Sequence, residues 1–134
     1  MPDNFIEFEI KMDWSDMDLF GHINNVTYFK YVQSARVNYL NHAGINTADP
    51  EDKLSFAVAA TSCVFKKPLF YPGKILVKTK TDWLKNSSFQ LTHLIFNENA
   101  EIAAEITDVI VLFDYSTQTK INISDIIREK MKSG

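Results

Sequence analysis

The stretch VTYFKYVQSARVNYLNHA, residues 26–43, decides the fold. Its polar residues recur at a helical spacing and form one narrow stripe, made of Lys30, Gln33, Ser34, Asn38 and Asn41. Apolar residues occupy most of the remaining circumference, and Gly44 follows where a helix C-cap is expected. A helix that is apolar over most of its circumference must be wrapped by other elements. We therefore predict a long, enclosed helix.

Strand patterns flank this helix on both sides. Residues 5–12 alternate apolar and charged side chains, which predicts a half-buried strand. After the helix and a loop at 46–53, turn sequences separate four further strand patterns, at 56–65, 74–83, 89–96 and 103–113. A short amphipathic helix is predicted from about Ser124 to Lys132. Consecutive strands with short turns predict an antiparallel sheet, curled around the long helix, in the α+β class.

The last strand pattern predicts association between subunits. It ends in the unbroken apolar run VIVLF, residues 109–113. Such a run is typical of a strand that is buried on both faces. One sheet curled around one helix covers only one of those faces, so we expect an oligomer.

Composition narrows the class of protein. The 134 residues fit one domain, 1–134, and 46% hydrophobic residues exclude disorder. The 14 basic and 17 acidic residues leave no excess of positive charge for binding nucleic acid or an anionic membrane. The single Cys63 suits a reducing compartment, and no apolar run approaches the ~20 residues of a membrane span. The acidic N-terminal stretch is unlike a signal peptide. We therefore expect a cytoplasmic protein without nucleic-acid or membrane partners.

Candidate chemistry concentrates in DWSDMDLFGHINN, residues 13–25, immediately before the helix. Free N–H groups and the positive dipole end at a helix start favour a developing negative charge, such as the oxyanion formed by attack on a carbonyl. Asp18 lies seven residues before Asn25, close enough to sit beside that helix start. One carboxylate with such N–H groups could hydrolyse an activated ester without a Ser or Cys nucleophile and without a cofactor.

Structural alternatives exist for each residue of this loop. Asp16 and Asp18 also suit turns and caps, and on spacing alone that interpretation is favoured. A lone histidine such as His22 is more often a structural hydrogen-bonding residue. A metal site formed by these three residues is the weaker interpretation, because the chain has no other clustered His or Cys ligands. No metal is expected.

Reactive side chains elsewhere in the chain have ordinary interpretations. Cys63 lies in an apolar strand pattern and fits a small core residue. His42 and His93 fall on the predicted helix and strand with no obvious partner. Lys66 and Lys67 flank a turn and could meet phosphates, although a solvated turn is the default.

A family resemblance sharpens this picture. The segment SDMDLFGHINNVTYFKYVQSARVNYL, residues 15–40, resembles the signature of hotdog-fold thioesterases of the 4-hydroxybenzoyl-CoA thioesterase type. Members read D-x-D-x-x-G-H-x-N-N-x-x-Y, followed by an Ala-Arg pair on the helix. The matching positions are Asp16, Asp18, Gly21, His22, Asn24, Asn25, Tyr28, Ala35 and Arg36. The segment FKKPLFYPGKILVKTKTDWLKNSSFQL, residues 65–91, also resembles the family between its second and fourth strands.

The resemblance implies a specific enzyme. Its fold is a curved antiparallel sheet around a central helix, its subunits pair to extend the sheet as homodimers or homotetramers, and acyl-CoA binds at the dimer interface. By this resemblance, Asp18 is the catalytic carboxylate, acting as nucleophile or general base. The backbone N–H of Asn25 polarises the thioester carbonyl. His22, Asn24 and Tyr28 line or brace the substrate site.

Two departures and two alternatives accompany the resemblance. Many relatives carry a Glu near the Ala-Arg pair where this chain has Gln33, so a mechanism with a second carboxylate on the helix is not expected. Bulky Phe20 would reshape the acyl entrance. Besides an acyl-CoA thioesterase, the chain could be an acyl carrier protein thioesterase or a non-catalytic acyl-CoA-binding module. The intact Asp18 counts against the module, and either an aromatic or a medium aliphatic acyl group remains open.

Overall fold

The computed structural model of the chain describes residues 5–18, 21–45 and 54–132. Phe20 and the loop predicted at 46–53 lie outside these residues. The elements in chain order are β1 (Ile6–Lys11), a 3-10 turn (Trp14–Asp16), α1 (Asn25–His42), β2 (Leu54–Phe65), β3 (Lys74–Leu84), β4 (Ser88–Phe96), β5 (Ile102–Asp114), β6 (Thr119–Lys120) and α2 (Asp125–Lys132). The five predicted strands and both helices are present, with boundaries within two residues of the prediction.

All strand pairs are antiparallel, in the order β1-β3-β4-β5-β2. The two-residue strand β6, which the sequence did not predict, pairs with the end of β5. The sheet is curved and α1 packs against it, so the α+β class and the hotdog fold are confirmed. β1 and β2 form the two edges of the sheet.

The core consists of two clusters along α1. The first surrounds its N-terminal half and includes Tyr28, Val32, Ile75 and Ile106. The second surrounds its C-terminal half and includes Leu40, Phe89, Ile110 and Met131. α2 supplies Ile127 and Met131 to the second cluster, so this short amphipathic helix closes one end of the core. Neither helix described is both long and apolar enough to cross a membrane.

The wrapping of α1 is less complete than predicted. Val32 and Leu40 are fully buried, but Val26 is 74% exposed and Val37 is also exposed. At 100° per residue, Val26 and Val37 fall on the same side of the helix as the polar Lys30 and Gln33. We call these four residues the open helix face.

The run VIVLF also differs from the prediction. Ile110 and Leu112 are fully buried on the helix side of β5, whereas Val109, Val111 and Phe113 are half-buried on the outer side. Burial on both faces is therefore not reached within one chain. The reason is that the second face of the sheet has no covering layer from the described part of the chain.

Candidate active site

The start of α1 is fixed by an asparagine cap. Asn24 is the N-cap, with φ −61° and ψ 139°, and its side chain accepts the N–H of Val26 at 2.9 Å. Its carbonyl accepts the N–H of Thr27, and its own N–H donates to the carbonyl of Asp16, each at 2.9 Å. Asn25 is the first helical residue, so its N–H has no acceptor within the helix. That N–H therefore points out of the positive end of the helix dipole.

Asp18 is held in the loop that precedes this helix start. Its N–H donates to the carbonyl of His22 at 2.7 Å, and its Oδ1 accepts the N–H of His22 at 3.2 Å. Gly21 has a φ of 79°, a left-handed conformation that favours glycine, and its N–H donates to the carbonyl of Asp18. These contacts hold the exposed Asp18 against the backbone of Gly21 and His22.

The segment after β2 forms the opposite wall of the site. The N–H of Ile23 donates to the carbonyl of Leu69 at 2.7 Å, which ties the helix start to this segment. The ring of His22 packs edge-on against Phe70, with ring centroids 4.7 Å apart. His22 thus braces the wall through its ring and holds Asp18 through its backbone.

Tyr28 braces the same wall through its hydroxyl group. It accepts the N–H of Leu69 at 3.1 Å and donates to the carbonyl of Lys67 at 3.4 Å. The side chain is buried, and this burial raises the pKa of the hydroxyl. Both hydroxyl contacts are to backbone groups, so Tyr28 ties α1 to the segment after β2.

The structure brings all five predicted site residues to one cavity of about 390 Å³. They are Asp18, His22, Asn24, Asn25 and Tyr28. Ile23 and Pro68 complete the lining, and sequence reasoning missed both. The pairing of Ile23 with Leu69, which brings Pro68 here, depends on a contact across 46 residues that no local pattern signals.

A second cavity, of about 210 Å³, continues from the first. It shares Asn25, Tyr28 and Pro68 and adds Phe65, Lys66 and Lys67. The rings of Tyr28 and Phe65 meet edge-on at 5.0 Å, and the two lysines pair with Glu105 and Glu101. A substrate lying over the helix start therefore has room on both sides of Asn25.

Asp16 does not line either cavity. Its side chain is buried, and it accepts hydrogen bonds from the Tyr31 hydroxyl and the Lys30 ammonium, each at 3.3 Å. The N-cap of the 3-10 turn is Asp13, which accepts the N–H of Ser15. Within the described ranges, no three His, Cys, Asp or Glu side chains are grouped so that they could hold a metal ion.

His93 has partners that the sequence did not reveal. It is fully buried, with Nε2 2.7 Å from Asp108 and Nδ1 2.7 Å from the Thr79 hydroxyl. The Arg36 Nε and the Thr61 hydroxyl also donate to Asp108, at 2.9 and 2.7 Å. Burial opposes ionisation of Asp108, but the hydrogen bonds and charges of His93 and Arg36 outweigh it and hold the pKa at about 2. We call these five residues the buried network after its buried members Thr79, His93 and Asp108; Thr61 itself is exposed on β2.

The structure agrees with the interpretation of Cys63 as a small core residue. It is half-buried against the first core cluster, and this burial raises the pKa of the thiol. A raised pKa lowers the fraction of reactive thiolate at neutral pH. The thiol is therefore poorly suited to act as a nucleophile.

Comparison with known proteins places the chain in a family. The model of the thioesterase-like superfamily matches residues 12–131. The chain is 28% identical to the acyl-acyl carrier protein thioesterase ATL3, chloroplastic, of Arabidopsis thaliana, over 94% of this chain and 67% of that protein. Among solved structures, the PA5185 protein of Pseudomonas aeruginosa is 26% identical with a TM-score of 0.86, covering 96% of this chain and 90% of that one.

A second solved structure carries an enzymatic name. The DHNA-CoA thioesterase of Staphylococcus aureus is 26% identical, with a TM-score of 0.80, and the match covers 88% of this chain and 80% of that one. The family match spans the loop that carries Asp18, all of α1 and the strands from β2 to β6. This chain belongs to the thioesterase-like superfamily and is a thioester hydrolase.

Proposed function

We propose that the chain hydrolyses acyl-CoA to a carboxylic acid and free CoA. In this proposal Asp18 is the catalytic carboxylate and the backbone N–H of Asn25 is the oxyanion donor. The observation that carries it is the single cavity lined by both residues, with the Asn25 N–H unused by the helix. The finer placement among thioesterases of the 4-hydroxybenzoyl-CoA type rests on the motif alone.

The reaction follows from these two groups. The thioester carbonyl oxygen would accept the Asn25 N–H, which stabilises the negative charge that develops during attack on the carbonyl carbon. In one route Asp18 attacks that carbon, the CoA thiolate leaves, and water then hydrolyses the mixed anhydride. In the other, Asp18 takes a proton from a water molecule that attacks the carbon directly. Asn24 would set the helix start, while His22 and Tyr28 would hold the walls.

A single turnover in water labelled with heavy oxygen tests the nucleophilic route. If Asp18 is the nucleophile and water hydrolyses the anhydride at the aspartyl carbon, heavy oxygen remains in the peptide that contains Asp18. Label in the released acid alone fits a general base, and it also fits hydrolysis of the anhydride at the acyl carbon, so label in the Asp18 peptide is the result that identifies the nucleophile. Mass spectrometry of the digested enzyme and of the product measures both.

The second candidate function is hydrolysis of a thioester carried by acyl carrier protein instead of CoA. The name of the Staphylococcus aureus structure supports a CoA thioester, while the name of the Arabidopsis thaliana relative supports an acyl carrier protein thioester. A panel of CoA and carrier-protein thioesters with short, long and aromatic acyl groups, followed by thiol release, decides between them. A non-catalytic module would release no thiol from any of these substrates.

We also propose that two chains pair through β2. Among the described strands β2 is a sheet edge, and Val58, Val64 and Phe65 on it are exposed. The open helix face adds exposed Val26 and Val37. Exposed apolar groups beside an unpaired strand edge favour addition of a second sheet. Pairing of two such dimers through the half-buried outer face of the sheet would give a tetramer.

Replacement of Asp18 tests the proposed function. Asp18→Asn should lower turnover at least ~100-fold, because an amide can neither attack the carbonyl nor take a proton. Asp13→Asn is the matched control: Asp13 lies in the same loop but outside the cavity, and asparagine also caps a turn well. Turnover of Asp18→Asn within a few-fold of wild type, with native circular dichroism, would refute the assignment.

A further inference from the structure

The carboxylate of Asp16 anchors the turn before the active-site loop to α1. Its side chain is 8% exposed, and its two oxygens accept hydrogen bonds from neighbouring residues of the helix: Tyr31 to Oδ2 and Lys30 to Oδ1. Oδ2 also accepts the N–H of Asp13 at 3.4 Å. The hydrogen bonds from Lys30 and Tyr31 hold the 3-10 turn against the side of the first half of α1.

Asp16 is also connected to both proposed reacting groups. Its carbonyl accepts the N–H of Asn24, the residue before the proposed oxyanion donor. Asp18 lies two residues further along an extended stretch, since Met17 has φ −88° and ψ 153° and forms a bridge with Ile23. With Met17 extended, the Cα atoms of Asp16 and Asp18 lie about 7 Å apart. A shift of Asp16 would therefore move Asp18 relative to the helix start.

Of the two donors on α1, Tyr31 is the stronger anchor. Tyr31 is 3% exposed, whereas the Lys30 side chain is 64% exposed, and an exposed ion pair contributes little. Burial, followed by the negative charge of Asp16, raises the pKa of the Tyr31 hydroxyl, so it stays protonated and donates. A hydrogen bond from a hydroxyl to a carboxylate is charge-assisted, and burial shields it from competing water, although its 3.3 Å length is above the usual O–H···O range.

We infer that Tyr31 is a positioning residue for the reaction, acting through Asp16 to set the place of Asp18 beside the helix start. The inference rests on the proposed function. Tyr31→Phe keeps the ring in the core and removes the anchoring hydroxyl. Because small displacements of a reacting group are costly, kcat should fall by about 3- to 30-fold while KM stays unchanged.

A matched control separates positioning from general loss of stability. Tyr39 lies on the same helix, is 1% exposed, and its hydroxyl is bonded to Thr81. Tyr39→Phe removes a buried hydroxyl of the same kind far from the active-site loop. It should destabilise the fold to a similar extent and leave kcat at the wild-type value.

A double-mutant cycle tests that Tyr31 acts through Asp16. Asp16→Asn should also lower kcat, by less than Asp18→Asn does, because the amide weakens the anchor without removing the reacting group. In the Asp16→Asn background, Tyr31→Phe should cause a smaller fall in kcat than it does in the wild type, because the weakened anchor has less to lose. If Tyr31→Phe does not fold, the kcat and KM of Asp16→Asn carry the test.

The outcomes distinguish this inference from the proposed function. A wild-type kcat in Tyr31→Phe, an equal fall in Tyr39→Phe, or independent effects of the Tyr31 and Asp16 changes would overturn the inference. If Tyr31→Phe does not fold, a wild-type kcat in Asp16→Asn would also overturn it. All of these results are compatible with an inactive Asp18→Asn variant. Full activity of Asp18→Asn would instead refute the proposed catalytic role of Asp18, on which the inference rests.

Discussion

Asn25→Pro removes the proposed oxyanion donor with little change to the fold. Asn25 is the first residue of α1, where proline is well tolerated because the N–H has no partner in the helix. The residue before a proline must be extended, and Asn24 already has φ −61° and ψ 139°. Both hydrogen bonds that Asn24 accepts, from Val26 and Thr27, remain possible.

The expected loss is large and specific to turnover. Removal of one oxyanion donor typically lowers kcat by ~100- to 1,000-fold, or roughly 3 to 4 kcal/mol in the barrier. Asn25→Ala keeps the backbone N–H, so it should lower kcat only modestly, through a slightly displaced helix start. The assay is thiol release from the best acyl-CoA under saturating conditions, with circular dichroism and mass in solution as controls.

The comparison of the two variants decides the outcome. A folded Asn25→Pro protein that turns over as fast as Asn25→Ala would refute the oxyanion site at the helix start. Stabilisation of the oxyanion would then have to come from side chains that line the same cavity, such as His22 or Asn24.

Two further predictions concern stability and assembly. Asp108→Asn should lower the free energy of unfolding by about 3 to 5 kcal/mol, because Arg36 and His93 lose a buried charged acceptor. Since the native pKa of Asp108 is lowered from 3.8 to about 2, its stabilisation is complete above about pH 4 and is lost as the pH falls toward about 2. Denaturant unfolding of the wild type and of Asp108→Asn should therefore give free energies of unfolding whose difference shrinks between about pH 4 and about pH 2. A difference that does not change with pH would contradict this prediction. Light scattering should give at least a dimer, and Val58→Asp combined with Val64→Asp should give monomers. Ile126→Asp, which changes a more exposed apolar residue on α2, should leave the mass unchanged, and a fully active wild-type monomer would rule out pairing.

Local sequence signals were sufficient for the five long strands, for both helices and for the grouping of the five candidate site residues. The period of the apolar residues predicted each long strand and α1, and the Asn pair predicted the helix start because asparagine caps helices well. The five candidate site residues converge because they lie within residues 18–28, in the loop before α1 and the first turn of that helix. Their grouping therefore needed no long-range contact to be predicted.

The buried network could not be predicted in this way. Asp108 accepts a hydrogen bond from Thr61, 47 residues away, because β2 and β5 pair in the observed register. It accepts another from Arg36, 72 residues away, because α1 packs against the sheet. In the sequence, Asp108 is one acidic residue that interrupts an apolar strand, and His93 alternates normally in another. The burial of Asp16 was missed for a similar reason, since it depends on the 3-10 turn and on the side on which Tyr31 lies.

The composition of β2 has a consequence for handling the protein. Its twelve residues, LSFAVAATSCVF, include no charged residue and no proline, the two features by which edge strands commonly prevent uncontrolled strand addition. A lone chain would thus expose a ready template for aggregation during synthesis or refolding. We expect the yield of soluble protein to depend on how quickly this edge pairs with a second chain. A single lysine in the middle of β2 should reduce precipitation of chains that are still unpaired.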